Sequence, residues 1–351
     1  MKRVTLKDVA EKAGVSMTLA SFVIREKPDG FGNITVRPEL REKIKAVAKE
    51  LNYTPHRSAQ ALRTGKSRVI GVVSAHSDHP LSFSKTYEIC ESILRRGYDY
   101  LLQQVDWTHV ERVSKTIDML LDYSIDGIVV MNAPFHSLPE VDMNRLKAMR
   151  LPMVGVSAVS YGNYPLVSVD YKRATFEMTR AVVAKGRRRL AIVARKSSVN
   201  LFHIRQRLDG ILDACSEIND VSVDTFVFND EETIKTSADI ETGYKATLNV
   251  LESSNPDAIF YTNDFMAFGA LQACTEKGIR VPEDIFICGF DGLEITRYSN
   301  PPITTAIQPT KILADKAVEL LFDMMDNGTM PTHSLHLVPC EIAYRQSTGD
   351  R

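Results

Sequence analysis

Leu6-Lys7-Asp8-Val9-Ala10-Glu11-Lys12-Ala13-Gly14-Val15-Ser16, followed directly by Met17-Thr18-Leu19-Ala20-Ser21-Phe22-Val23-Ile24, reads as two short helices joined by a tight turn. Val9, Ala13, Val15, Ala20 and Val23 face inward if one helix ends near Ala13 and the next starts after Ser16. Ala10 and Gly14 are the diagnostic pair: a small side chain lets the helices cross closely, and glycine permits a turn that a Cβ would obstruct. Ser16 is placed to cap the second helix with its hydroxyl. A generic helical hairpin is the plain alternative. A helix-turn-helix of this kind is built to lay its second helix in a DNA major groove.

Working outward, Pro38 suits a first helical turn, and Leu40, Ile44, Val47, Ala48 and Leu51 recur at helical spacing, so a third helix is expected over 38–51. Lys27-Pro28-Asp29-Gly30-Phe31-Gly32-Asn33 before it is rich in turn formers. After it, Pro55 and Gly65 bracket a short basic segment, a linker helix too short to be stable alone and expected to order on a partner.

The net charge of -1 over 351 residues conceals an asymmetry. Residues 1–67 carry 14 Lys and Arg against 7 Asp and Glu, whereas the rest carries 29 against 37. A basic head on an acidic body is the arrangement that phosphate binding by one end requires. No apolar run reaches membrane-spanning length, and the N-terminus lacks the apolar stretch of a signal peptide, so a cytoplasmic protein is expected. The five cysteines have no paired spacing, so no disulfide framework, metal site or cofactor is expected.

From Arg68 the texture becomes one of short apolar strands alternating with helices. The strands are expected at 69–73, 98–105, 127–131 and 152–156, then at 190–194, 223–228, 258–261 and 285–288. Helices are expected at 87–94, 110–121, 205–215, 243–251 and 266–277. Such alternation implies parallel sheets covered on both faces, and two successive series imply two lobes. Ligands of open sheets bind beyond the carboxyl ends of the strands, so polar residues just after strands are the candidates for a site. The organisation is therefore a head over 1–54, a hinge over 55–67 and a two-lobed α/β core over 68–351.

The whole chain resembles the LacI family of transcriptional regulators. The head matches in Thr5-Leu6-Lys7-Asp8-Val9-Ala10, Ala13-Gly14-Val15-Ser16 and Leu51-Asn52-Tyr53-x-Pro55; the hinge matches in Ala59-x-x-Leu62-Arg63-Thr64-Gly65. The core matches in Thr262-Asn263-Asp264-x-Met266-Ala267-x-Gly269-Ala270, Val281-Pro282-Glu283-Asp284, Gly289-Phe290-Asp291, Pro301-Pro302-Ile303-Thr304-Thr305 and Gln308-Pro309. The resemblance implies an all-α helix-turn-helix head and hinge helix on a core like that of periplasmic binding proteins. It implies a homodimer that binds double-stranded operator DNA and holds a small effector, most often a sugar, between the core lobes.

Residue by residue, the resemblance implies base-edge contacts from Met17, Thr18 and Phe22. Phe22 stands where an arginine is common, so it either meets the DNA or packs against the long loop before the third helix. Thr5, Ser16, Ser21 and Arg57 are expected at phosphates, and Ala59 with Leu62 at the minor groove, where Leu62 either wedges a base step or packs the hinge. For the effector, Arg207, Asn263 and Asp291 supply a guanidinium, an amide and a carboxylate suited to vicinal hydroxyls. The first lobe is expected to contribute His76, His79, Phe83 and Ser157, where the family more often has Asp at positions 76 and 157; either histidine is alternatively a solvated loop residue. Asp264 is expected to cap the helix that follows it.

An exported sugar-binding transport protein shares such a core but needs a leader and no DNA head. Enzyme signatures fail: Gly65-Lys66-Ser67 resembles the end of a phosphate loop, but position 60 is Gln, and neither GxGxxG after a strand nor GxSxG occurs. The reading is a carbohydrate-responsive repressor, with a corepressor acting in the opposite sense as the alternative. The last residues carry no heptad repeat that would join dimers.

Overall fold

The computed structural model describes residues 4–24, 36–54, 66–75, 77–106, 109–132, 140–157, 164–229, 236–328 and 334–350. The chain divides into two compact units, Met1–Ser67 and Arg68–Arg351.

In the first unit, α1 (Leu6–Ala13), α2 (Met17–Ile24) and α3 (Pro38–Glu50) enclose Val9, Ala10, Ala13, Ala20, Val23, Ile44 and Val47. Val15 is half-buried against this core. Thr5 and Asp8 form a reciprocal capping box at the start of α1. Gly14 closes the helix with φ at 71°, and the Val15 N–H donates back to the Ala10 carbonyl at 3.0 Å. That 6→1 bond requires a left-handed residue in between, which is why glycine stands there. Ser16 Oγ accepts the Leu19 N–H at 3.2 Å, the expected cap of α2.

The second unit holds two six-stranded sheets. The first lobe is built from β1 (Val69–Ala75), α4 (Pro80–Arg95), β2 (Asp99–Val105), α5 (Val110–Asp122), β3 (Gly127–Met131), α6 (Glu140–Ala148), β4 (Met153–Val156) and β5 (Leu166–Val169). The second lobe follows with α7 (Tyr171–Ala184), β6 (Arg189–Arg195), α8 (Phe202–Ser216), β7 (Ser222–Phe228), α9 (Thr236–Ser253), β8 (Ala258–Tyr261), α10 (Asp264–Glu276), β9 (Phe286–Asp291), α11 (Ile295–Tyr298) and β10 (Thr304–Ile307). Then α12 (Thr310–Asn327) and β11 (Leu335–Val338) return to the first lobe, and β12 (Glu341–Ala343) ends in the second.

Sheet order is β11-β5-β4-β3-β1-β2 in one lobe and β12-β10-β9-β8-β6-β7 in the other. Among the described residues every ladder is parallel except β10–β12. The central strands β3, β4, β5, β8 and β9 are buried throughout, which explains their unbroken apolar runs. The edge strands β2 and β7 alternate between exposed and less exposed residues.

Two expectations need correction. The lobes are not two successive stretches of chain, because α12 packs on α4, β3, β4 and β5, and β11 pairs with β5. The elements β5, α6, α7, α11, β10, α12, β11 and β12 were not among those expected. In addition, α10 is capped by Asn263, whose Oδ1 accepts the Met266 N–H at 2.9 Å, not by Asp264. Asp264 is fully buried and ties two segments together, accepting from the Leu293 N–H at 2.7 Å and the Thr305 hydroxyl at 2.6 Å.

Asp264 also explains a glycine. A Cβ at position 289 would stand 2.3 Å from Asp264 Oδ1, so β9 can pass this carboxylate only with glycine there. The crossing of α9 and α10 is similarly close: a Cβ on Gly269 would meet the Ile240 carbonyl at 2.0 Å.

Candidate functional site

On the head, Met17 is 52% exposed and Thr18 is exposed, while Ser21 and Phe22 are half-buried. Phe22 packs on the apolar core of the head, and the loop before α3 that it was alternatively expected to meet lies outside the described residues. Thr5 and Ser16 are engaged as helix caps. Arg57, Ala59 and Leu62 lie outside the described residues, as does His76.

In the core, the expected residues stand at strand ends or just after them. Ser157 follows β4, Asn263 lies between β8 and α10, and Asp291 closes β9. Asp291 is buried, and its φ of 125° is a conformation that side-chain-bearing residues rarely adopt. Such strain persists where the surroundings over-determine a residue. Here Asp291 Oδ1 accepts from Arg207 Nη2 at 3.0 Å and from Gln308 Nε2 at 2.7 Å. Across the cleft, His79 Nε2 of the first lobe lies 3.5 Å from Asp291 Oδ2. His79 Nδ1 accepts the Leu81 N–H at 3.3 Å as the cap of α4, an arrangement that leaves Nε2 to carry the proton. The His79 ring also meets Phe265 edge-on, with centroids 5.6 Å apart.

Arg207 is 4% exposed. Its guanidinium lies 3.9 Å from the centroid of Phe290 and 5.2 Å from that of Tyr171, and Nη1 donates to the Thr262 carbonyl. The two rings are themselves neighbours, with centroids 5.8 Å apart, and contacts of this kind restrict the guanidinium, which suits bidentate recognition. Two buried polar atoms in this cluster have no hydrogen-bond partner among the described residues: Arg207 Nε and Gln308 Oε1. Unsatisfied buried groups of this kind stand ready for a ligand.

Asn263 is bonded to a second carboxylate, Asp239. Its Nδ2 donates to Asp239 Oδ2 at 3.2 Å, and Asp239 pairs with Arg195 at 2.5 Å. Burial raises the Asp239 carboxyl, with the Arg195 cation opposing the shift.

The largest departure from expectation concerns α4. Phe83 is turned to solvent at 54% exposure, together with Tyr87 at 62%, one helical turn on. Lys85 points inward instead and is 5% exposed. Its Nζ donates to Ser157 Oγ at 3.0 Å, and Ser157 itself has φ at 48°. Burial pulls the Lys85 ammonium down to about 8, with Asp291 opposing and Arg207 reinforcing that shift. His203, one turn before Arg207, is pushed down to about 3 by burial and by the Arg207 and Lys85 cations. It is therefore a neutral imidazole at pH 7.

Sequence reading missed Lys85, Tyr171, Arg195, His203, Asp239 and Gln308 as site residues. Gln308 carried a signal in its place in the Gln308-Pro309 match. For Lys85 the signal lay in helix phase, since Lys85, Ile89, Ser92 and Ile93 share the buried side of α4.

Comparison with known proteins agrees with this architecture. Residues 5–56 match the family described as bacterial regulatory proteins, lacI family, and residues 179–348 match the periplasmic binding protein-like domain. The HTH-type transcriptional regulator MalR of Clostridium butyricum is 30% identical over 353 residues, covering 97% of this chain and 98% of that protein. The HTH-type transcriptional repressor PurR of Pasteurella multocida is 28% identical, covering 99% of each chain. Among solved structures, the lac repressor dimer bound to operator and the anti-inducer ONPF superimposes with a TM-score of 0.82 at 26% identity, covering 99% of both chains. With a helix-turn-helix head, a two-lobed core and this full-length similarity, the chain belongs to the LacI family of DNA-binding transcriptional regulators.

Proposed function

We propose that this protein is a homodimeric repressor of carbohydrate-utilisation genes, released from its operator by a small sugar-type effector bound between the core lobes. The observation that carries this reading is the Arg207–Asp291–Gln308 cluster, whose buried amide oxygen and guanidinium nitrogen lack partners among the described residues. A carboxylate, an amide and a planar guanidinium together accept and donate to vicinal hydroxyls. His79 of the first lobe approaches the same Asp291. A ligand inserted there would favour one angle between the lobes, and that differential affinity is all that release requires. In this reading Ser157 and His79, with His76, form the first-lobe wall, and Asn263 orients Asp239 at the rim.

Met17 and Thr18 on the exposed side of α2 read base edges, while Thr5, Ser16, Ser21 and Arg57 position the head on phosphates. Ala59 and Leu62 enter the minor groove, Leu62 as the wedge between base steps. Phe83 and Tyr87 on α4, with Ile312 at 61% exposure on the adjoining α12, leave apolar surface that a second copy would cover. The protein acts in the cytoplasm, and no helix among the described residues is long and apolar enough to cross a membrane.

The test is a thermal-shift screen of sugars, sugar phosphates and purines, each hit retested on operator binding. A sugar that stabilises the protein and releases DNA supports the reading. A hit that tightens DNA binding reverses the sign to corepression, and a purine that does so removes the sugar.

A further inference from the structure

Lys85 is a buried cation of the cleft whose hydrogen bond among the described residues goes to a hydroxyl rather than to a carboxylate. Asp291 is committed to Arg207 and Gln308, and Asp239 to Arg195 and Asn263. Asp264 is fully buried among the Leu293 N–H and the Thr305 hydroxyl, and burial, with Asp291 nearby, raises its carboxyl towards the neutral acid. Lys85 is left with one hydrogen-bond partner among the described residues, the neutral Ser157 hydroxyl. A buried ammonium without an opposite charge at hydrogen-bond distance is costly, and such groups are ordinarily paired. Burial pulls this ammonium down, and the Asp291 carboxylate opposes that shift. Gln308, bonded to the same Asp291 that acts on Lys85, has in Oε1 a buried acceptor without a donor among the described residues.

We propose that the effector is a polyhydroxylated anion, a sugar phosphate or a sugar acid, whose oxyanion meets Lys85 Nζ beside Ser157 while a hydroxyl donates to Gln308 Oε1. This deepens the sugar reading given above and rests on it. The oxyanion supplies the charge that Lys85 lacks, and the hydroxyl supplies the missing donor. A neutral sugar would satisfy Gln308 and leave Lys85 uncompensated.

The experiment uses the intact protein, Lys85→Met, and Lys85→Arg as the charge-retaining form, with operator binding as the check that each is folded. Thermal shift and calorimetry are run with inorganic phosphate, glucose 6-phosphate, glucuronate and glucose at matched ionic strength. A charge-assisted contact predicts that glucose 6-phosphate or glucuronate binds about tenfold to a hundredfold more tightly than glucose. That preference and any response to inorganic phosphate disappear in Lys85→Met and persist in Lys85→Arg. Response to the ester but not to glucuronate assigns a phosphate; the converse assigns a carboxylate. Equal anion responses in the intact protein and Lys85→Met, or none in either, overturn the anionic site. Release of operator by neutral sugar in both would then leave the sugar reading standing. Lys85-dependent phosphate binding, with no effect of any sugar derivative on operator binding, keeps the anion site and removes the sugar.

Discussion

Asp291→Asn isolates the charge at the centre of the cleft. The substitution preserves volume, and asparagine tolerates positive φ better than most residues, so the backbone at 125° is little affected. What it removes is the negative partner of Arg207, in a pair whose side chains are 5% and 4% exposed. Breaking a buried ion pair from one side leaves an uncompensated charge, a loss of about 3–5 kcal/mol. Lys85, which Asp291 attracts and Arg207 repels, would then keep only the repulsion. Urea unfolding at pH 7, followed by circular dichroism, measures the loss, and the same experiment on Lys85→Met and the double variant completes a cycle. Removing Lys85 should be more favourable in the Asp291→Asn background than in the natural chain, because it relieves repulsion in the variant and forfeits attraction in the natural protein. Effector binding should weaken while ligand-free operator binding persists below the unfolding transition. A stability loss under about 1 kcal/mol, or an equal effect of Lys85→Met in both backgrounds, would refute the reasoning.

Other substitutions test separate parts. Gly289→Ala places a Cβ 2.3 Å from the tethered Asp264 carboxylate and should lower stability by about 3 kcal/mol in urea, the upper end of overpacking; a loss within experimental error would show that β9 can move. Lys85 is held at about 8 against an ordinary value of 10.5, so below pH 8 its protonation opposes folding by about 3 kcal/mol. The unfolded chain binds the extra proton between those values, so stability should rise with pH from about 8 to 10.5, and Lys85→Met should flatten that rise in paired denaturation curves. Ser16→Ala removes the cap on the Leu19 N–H and should destabilise the head by about 1 kcal/mol, seen as a lower melting midpoint for that unit. Leu62→Ala should weaken specific operator binding more than non-specific binding in salt-matched titrations; equal losses would reject the wedge.

The head was legible from the sequence because its signals are local. Gly14 must be left-handed, Ser16 must cap the next turn, and Val9 with Ala13 on α1 and Ala20 with Val23 on α2 recur at helical spacing, each signal spanning only a few residues. The strands β1, β3 and β8 were legible for a related reason, since a strand buried on both faces is a short apolar run whatever lies beside it. The family motifs also marked Arg207 and Asp291, whose side chains do meet, although no local rule pairs residues 84 positions apart. What the tertiary structure decided was longer in range. The phase of α4 against β1 and α12 turned Lys85 inward and Phe83 outward, a choice that resemblance alone made the other way. The return of α12 and β11 to the first lobe follows from pairing Leu335 with Leu166, which no periodicity encodes. Asn263 and Asp264 are adjacent in sequence, yet the first caps a helix and the second locks Thr305 to the Leu293 backbone. Burial and the positions of distant partners, rather than residue type, separate their roles.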